Sequence, residues 1–439
     1  MTTDAAPRTE WRGLPLGEAC TKIGSGATPR GGKDSYLESG PYALIRSQNV
    51  YNDGFRHGGL AFIDDAQAEA LRNVEVETED VLLNITGDSV ARVCQVDAGL
   101  LPARVNQHVA IIRPDPAVLD ARFLRYYLAS PEVQAMLLSW AGSGGTRNAL
   151  TKKMIESIEV RAPSDVREQR AIAHVLGTLD DKIELNRRMN ETLEAMARAL
   201  FRSWFVDFDP VRAKMEGRWR PGEFLPGLPA HLHPLFPDRL VPSELGDIPE
   251  GWEVRGLDGI ADFTNGLALQ RFPPEGEDWL PVIKIAEMRR GYTDKTGQAS
   301  ANLDPRYIVE DGDVLFSWSG SLELVLWSHG RGALNQHLFK VTSGEFPQWF
   351  YWGWLHEHLD DFRGIAADKA TTMGHIQLHH LTDARVAVPP KEVLKAADGT
   401  LGSLLQQQVA LAVQSRDFAT LRDTLLPRLV SGELPVQAV

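Results

Sequence analysis

The sequence predicts a mixed α/β (α+β) protein built as a pseudo-two-fold internal repeat: two similar domains separated by two long helices that pair as a coiled coil. Three observations predict it. Val105-Asn106-Gln107-His108-Val109 returns as Leu334-Asn335-Gln336-His337-Leu338 roughly 230 residues later, and self-similarity of this kind outranks any single motif. The surroundings repeat in order: Trp11-Arg12-Gly13-Leu14 with Trp252-Glu253-Val254, Asp80-Val81-Leu82-Leu83 with Asp313-Val314-Leu315-Phe316, and Val160-Arg161-Ala162-Pro163 with Val386-Ala387-Val388-Pro389. Each copy ends in Gln-bearing helical sequence, at Glu168-Gln169 and at Gln406-Gln407-Gln408. There the apolar residues alternate at four and three, the seam of a coiled coil.

Taken in chain order, residues 1–163 form the first domain, 164–205 a helical spacer, 206–251 a linker, 252–400 the second domain and 401–439 a second helical spacer. In the first domain, Tyr42-Ala43-Leu44-Ile45, Asp80 to Ile85 and His108 to Ile112 are short apolar runs bounded by Gly, Pro or Asp, as strands are. Phe123 to Trp140 has helical spacing, with Phe123, Tyr127, Val133 and Leu137 on one face. The first spacer carries a seam of Ile172, Leu176, Leu179, Ile183, Leu193, Ala197, Leu200 and Trp204, with Asn186 and Asn190 filling the two intervening seam positions. Buried Asn in a seam sets register and partner choice at a cost in stability.

A helix with such a seam needs a partner. Leu404, Leu411, Phe418, Leu421 and Leu425 supply one, with Gln407 and Gln414 at the polar positions between. Pro427 limits that helix and Ser431-Gly432 ends it. The alternative is that each helix packs on its own domain. Two matched helices, one after each copy, favour mutual pairing. The linker carries Pro210, Pro221, Pro226, Pro229, Pro234, Pro237, Pro242 and Pro249, which predicts extended, irregular chain.

Composition sets the outer limits. A chain of 439 residues accommodates two or three domains, each with its own core. Hydrophobic residues at 43% and charged ones at 24% place it among ordinary globular proteins. No long uncharged apolar run suggests a membrane span, and Met1 to Trp11 lacks the apolar core of a secretory signal, so a cytoplasmic protein is expected. Cys20 and Cys94 stand alone and form no zinc pattern. A net charge of -13 argues against a non-specific nucleic-acid binder. A specific binder with local basic surfaces and a basic partner remains open.

Signatures of catalysis are missing. No Asn/Asp-Pro-Pro-aromatic motif for amino-group methylation occurs, and Asp209-Pro210-Val211 is not one. Ala27 to Asp34 is a near miss to a phosphate loop, with Ala27 where the first Gly belongs and Asp34 in place of the magnesium-holding Ser/Thr. His375 and His379 are four apart, but no third ligand follows at a recognisable spacing, and a surface helix accounts for them and His380 better than metal. The Asn-Gln-His triplets lack a nucleophile with a partnering acid. A large duplicated chain without such signatures reads as a binding protein.

These features resemble the specificity subunit of type I restriction–modification systems, over nearly the whole chain. The markers are Gly26-Ala27-Thr28-Pro29 and Val105-Asn106-Gln107-His108 in the first domain. The spacer adds Glu168 to Ala173, Leu179 to Asn186 and Leu200 to Phe208. Ser243-Glu244-Leu245-Gly246 with Ile248 to Trp252 marks the entry to the second domain, and Leu425 to Glu433 the end of the distal spacer. The second domain departs from the pattern, with Thr264-Asn265-Gly266 in place of a Thr-Pro turn. The resemblance implies two target-recognition domains reading a bipartite site on double-stranded DNA. It implies a chain that is not itself an enzyme and holds no cofactor. Two methylation subunits using S-adenosylmethionine would dock on it, and nuclease–translocase subunits using ATP and magnesium would join.

Under that reading, Arg, Lys and amide side chains are the candidates for base edges, and small or basic residues for phosphates. The first domain offers Thr28, Arg30, Lys33, Arg46, Ser47, Asn49, Arg104, Asn106, Gln107, His108, Thr146 and Arg147. The second offers Gln270, Arg271, Lys284, Ser317, Ser319, Asn335, Gln336, His337, Thr371 and Thr372. For any one Arg or Lys a solvated surface role competes, and for the triplets an amide cap shaping a loop. Since the triplets persist in both copies, base reading is expected where the copies differ, as at Arg46 against Lys284. Three other readings stand beside this one: a specificity subunit serving a fused methylase–nuclease, a two-domain enzyme with an unfamiliar site, and a structural adaptor without DNA contact.

Overall fold

The structure, a computed structural model, describes residues 10–142, 148–368 and 374–436. The chain divides into two compact units, 1–182 with 418–439, and 183–417. Each contains one copy of the repeat.

In the first unit two four-stranded sheets share the core. One runs Ala61–Ile63, Tyr42–Ile45, Ala103–Val105, Glu75–Val76, with a parallel pair at its centre. The other runs Cys20–Ser25, Val109–Pro114, Val81–Asn84, Val93–Gln95 and is antiparallel throughout. Ala103–Val105 and Val109–Pro114 are consecutive, so the chain crosses from one sheet to the other within Asn106-Gln107-His108. Trp11–Pro15 pairs antiparallel with Glu159–Pro163 and closes the unit.

The second unit repeats this order. Gln298–Ser300, Trp279–Ile283, Gly332–Leu334 and Ile308–Val309 form the sheet with a parallel pair. Asp262–Asn265, Leu338–Thr342, Val314–Ser317 and Leu324–Leu326 form the antiparallel one. The chain changes sheets at Asn335-Gln336-His337. Glu253–Gly256 pairs with Arg385–Val388 as the closing ribbon. Alternating apolar residues explain the strands: Val81, Leu83, Ala110 and Ile112 face one core while Leu82, Val109 and Ile111 face another. The sheets are therefore buried on both faces.

Two long helices complete the fold, Val166–Phe201 and Lys391–Val430. In the first unit Ile172, Leu176, Leu426, Leu429 and Val430 join the domain core. There Asp180 accepts from Arg125, Arg422 and the Tyr126 hydroxyl at 2.7, 2.7 and 2.6 Å. In the second unit Asn186 meets Gln414 at 2.9 Å. The helices therefore pair, as the seam predicts. Leu179 is buried; Ile183, Leu193, Leu200, Leu411, Phe418 and Leu425 are half-buried.

Several details differ from expectation. Leu421 is 46% exposed, and Leu426 takes the inward position beside it. Leu401, Leu405 and Gln408 are buried where Leu404 and Gln407 were expected, because this stretch of helix packs on its own domain's core. The second helix starts at Lys391, ahead of the expected start near Leu404 and directly after Pro389-Pro390. Gln406 to Gln408 therefore lies well inside it and does not match Glu168-Gln169. Pro427 sits within the helix rather than limiting it. So near the C-terminus the ring removes only a last hydrogen bond. Gly432, at φ 76°, does end it.

Phe123 to Trp140 is two helices, Ala121–Ala129 and Pro131–Gly142, because Ser130 precedes a proline and is held extended. The Pro-rich stretch is not an extended linker. Trp204 and Phe205 lie in a π-helical turn, a helix follows at Asp209–Met215, and Leu240–Ser243 pairs with Gly246–Pro249. Val211, Trp219, Leu228, Leu232, Phe236 and Trp252 enter the second unit's core. The prolines turn the chain, and the aromatic residues between them supply the apolar area that folds it. Among the described residues no helix is long and apolar enough to cross a membrane.

Candidate nucleic-acid interface

The corner between the two sheets is built identically in both copies. Asn106 N–H donates to the Ile45 carbonyl at 3.0 Å, and Asn335 N–H to that of Ile283 at 3.2 Å. The Asn106 side-chain oxygen accepts the His108 N–H at 3.0 Å, and Asn335 does the same for His337 at 3.4 Å. Asn106 and Asn335 are therefore buried Asx caps that fix the turn.

The turn holds its histidine in a relay. His108 Nδ1 lies 2.5 Å from the Thr86 hydroxyl and its Nε2 lies 2.9 Å from Gln107. His337 Nδ1 lies 3.1 Å from the Ser319 hydroxyl and its Nε2 3.4 Å from Gln336. Among the described residues no carboxylate joins either relay. A glycine allows the corner to close. A Cβ on Gly26 would lie 1.8 Å from the Val105 carbonyl oxygen, and one on Gly266 2.3 Å from that of Asn335.

A second shared feature sits at the base of the antiparallel sheet. Asp80 caps the Glu77 N–H and receives Arg113 through two bonds, at 2.7 and 2.8 Å. Asp313 caps Glu310 N–H and receives Lys340 at 2.7 Å. These pairs account for the repeated Asp-Val-Leu motif as a structural element.

The candidates divide by position. Thr28, Arg30, Lys33, Gln270, Arg271 and Lys284 are exposed, and Arg46, Ser47, Gln107, His108, Gln336 and His337 are half-buried. Arg46 is committed in part to its own domain: it donates to the Gly59 carbonyl and lies over the Tyr36 ring. Besides the capping Asn106 and Asn335, three expected contact residues face inward. Asn49 is fully buried, capping Arg46 N–H and donating to the Arg56 carbonyl. Arg104 is buried against Tyr42, bonded to the carbonyls of Ala68 and Ala103 and paired with Glu75. Ser317 is fully buried and bridges Ser321 and Glu323. Each spends its polar groups on its own chain, and their assignment to a contact surface is corrected to a role in the fold. Ser319 is nearly as buried but orients His337. Thr146, Arg147, Thr371 and Thr372 lie outside the described residues.

His375 and His379 do not share a helix face. His375 bridges to Ser319 and packs against Trp318, and the helix begins only at Leu378. Among the described residues no cluster of His, Cys, Asp and Glu is arranged to hold a metal. Sequence reading missed Thr86, although the repeat pointed to it: Thr86 follows Asp80 at the same interval at which Ser319 follows Asp313.

The profile of the type I restriction modification DNA specificity domain matches twice, over residues 9–195 and 249–415. The chain belongs to the type I restriction–modification specificity subunits. It is 25% identical over 434 residues to the HindI specificity subunit of Haemophilus influenzae, covering 89% of this chain and 94% of the relative. It is 26% identical over 347 residues to the MjaIX specificity subunit of Methanocaldococcus jannaschii, covering 76% and 74%. In fold it is similar to the S subunit of M. genitalium, with a TM-score of 0.58 at 14% identity over 97% of this chain and 98% of that one. For this specificity subunit, the two profile matches each cover one of the repeated sheet corners.

Proposed function

We propose that this specificity subunit reads a bipartite sequence on double-stranded DNA, one half per domain, and does no chemistry itself. The observation that carries the reading is the duplicated corner. Its internal bonds are the same in both copies, while the exposed residues around it differ, Arg30 and Lys33 in one and Gln270, Arg271 and Lys284 in the other. A constant scaffold with variable display is what two half-sites of different sequence require.

The partners follow from the same reading. The proposed occupants of the chain's other surfaces are two methylation subunits, which use S-adenosylmethionine and flip the target adenine out of the duplex. Nuclease–translocase subunits supply ATP- and magnesium-dependent cleavage in a cytoplasmic complex. The net charge of -13 supports a division in which the partners provide much of the attraction to the phosphate backbone. The domain limits proposed are 1–163 and 252–400, with helical spacers at 164–205 and 401–439.

The test uses the purified chain, DNA and labelled S-adenosylmethionine, with and without the methylation subunit encoded beside it. The expected result is no transfer by the chain alone and transfer at one bipartite motif by the complex. Transfer by the chain alone, or by the complex without sequence preference, overturns the reading.

A further inference from the structure

We propose that the first domain discriminates bases through Arg92, at the rim of a cavity beside the hairpin Val81–Asn84/Val93–Gln95, and that Glu323 occupies the equivalent, oppositely charged position in the second domain. The proposal deepens the DNA-reading role proposed above and rests on it.

The equivalence is set by the hairpins. Asn84 N–H donates to the Arg92 carbonyl at 2.8 Å, and Ser317 N–H to the Glu323 carbonyl at 2.9 Å. Both pairs close the hairpin just before its tip, and Thr86 and Ser319, which hold the histidines, lie on the tips themselves. The two copies are thus alike up to this point and opposite in charge at it.

The first cavity has a volume of about 440 Å³, and Gln48, Tyr51, Thr86, Ser89, Arg92 and His108 are on its wall. Arg92 is half-buried, its guanidinium 4.5 Å from the centre of the Tyr51 ring. Among the described residues its guanidinium has no hydrogen-bond or ion-pair partner. Other arginines of the domain do: Arg56 pairs with Asp53, Arg113 with Asp80 and Arg125 with Asp180. A guanidinium held over an aromatic ring and left unpaired keeps its planar fork of donors available. That fork matches the two acceptors on the major-groove edge of guanine. Thr86, Ser89 and Gln48 line the same wall, with the Thr86 hydroxyl bonded to His108 and the Gln48 amide nitrogen to the Gly59 carbonyl.

The second cavity, about 470 Å³, is bounded by Arg289, Gly320, Ser321, Glu323 and Arg363. Glu323 is paired with Arg289, while Arg363 donates to the Leu322 carbonyl and pairs with Asp360. Its carboxylate offers acceptors where the first domain offers donors, which suits the amino group of cytosine or adenine. Arg46 and Lys284, the sequence-based candidates for this contrast, follow strands of the other sheet in each domain and differ less in chemistry.

The experiment is methylome sequencing of cells carrying the complete complex with wild-type chain, Arg92→Ala, Arg92→Lys or Glu323→Gln. Wild type is expected to yield a bipartite motif. Arg92→Ala and Arg92→Lys are each expected to relax one base in one half by roughly tenfold or more, with the other half unchanged. Glu323→Gln is expected to act on the opposite half. If wild type yields no motif, the DNA-reading role itself fails, and the proposal with it. If wild type yields a motif that both Arg92 variants retain unaltered, the role stands and the proposal is overturned. Arg92→Lys restoring the wild-type motif while Arg92→Ala merely weakens methylation uniformly marks a phosphate contact and overturns it too. Failure of both Arg92 variants to assemble makes Arg92 a structural residue and likewise overturns the proposal.

Discussion

The side-chain amide of Asn186 donates to the side-chain oxygen of Gln414 at 2.9 Å and reaches the Leu411 carbonyl at 3.4 Å, joining the two long helices within the second unit. Asn186 is 5% exposed, so its amide is almost entirely withdrawn from water and depends on these bonds. A slide of one helix along the other would break them without replacing them. The pair therefore fixes one register, at the expense of apolar contact in the seam.

A double-mutant cycle of Asn186→Ala and Gln414→Ala is expected to show a coupling of about 1 kcal/mol in denaturant unfolding. Asn190 supplies the contrast. Its side-chain oxygen is buried with no partner among the described residues. Asn190→Leu is expected to raise stability, by about 1 kcal/mol, while Asn186→Leu is not. Equal effects at the two positions would remove the distinction between a registering and an idle asparagine.

Asp180 ties the same helices together in the first unit. Burial alone would raise its carboxyl pKa, but Arg125, the Tyr126 hydroxyl and Arg422 together hold it below the usual carboxylate value. Since the folded value is depressed, the stabilisation is present above the ordinary carboxylate pKa and is lost as pH falls through the folded one. Asp180→Asn leaves the buried Arg125 guanidinium without its counter-ion and Arg422 with Asp423 alone. The expected loss is about 3 kcal/mol near neutral pH, shrinking as the solution is acidified. A gap between wild type and variant that stays constant down to acid pH would refute the assignment.

How much of this was legible follows from what each feature depends on. The duplication, the strands around Leu44, Leu82 and Ile111, and the pairing helices rest on local periodicity and reappear in the structure. Leu421 and Leu404 misled because a four-three alternation is satisfied by either of two adjacent stripes, and the neighbouring core selects between them. The Pro-rich stretch misled because Trp219, Leu228 and Phe236 join a core completed by residues distant in sequence. At the site, exposure was the missing variable. Asn49, Arg104 and Ser317 have the chemistry of a reader, but their positions turn them inward. Arg92 carries no motif, and only the hairpin register sets it against Glu323.

The glycines at the sheet corners give a matched pair of tests. Gly26→Ala forces a Cβ into the Val105 carbonyl and Gly266→Ala into that of Asn335. Neither neighbour is a flexible side-chain end, so the backbone has to shift. Each substitution is expected to cost about 1–3 kcal/mol. Gly24→Ala is the control, since a Cβ there meets nothing within 4 Å. A loss at Gly24 equal to that at Gly26 would mean that the corner is not the constraint.

His356 gives the second unit a pH dependence of its own. Its ring packs 4.4 Å from that of Trp352, and its Nε2 is buried without a partner among the described residues. Burial, reinforced by Arg198 and Arg363, pushes its pKa from 6.5 down to about 4. Above the ordinary value both folded and unfolded chains are neutral at this site, and it makes no pH-dependent contribution. Between the two values the unfolded chain binds a proton that the folded chain refuses, so stability falls as pH falls. The loss attributable to His356 amounts to about 3 kcal/mol by pH 4. His356→Phe keeps an aromatic ring against Trp352 and removes the titration. Its stability relative to wild type is expected to rise steadily from pH 7 to pH 4, read as the difference in unfolding midpoints. If the two midpoints fall in parallel over that range, the buried imidazole is not the titrating group.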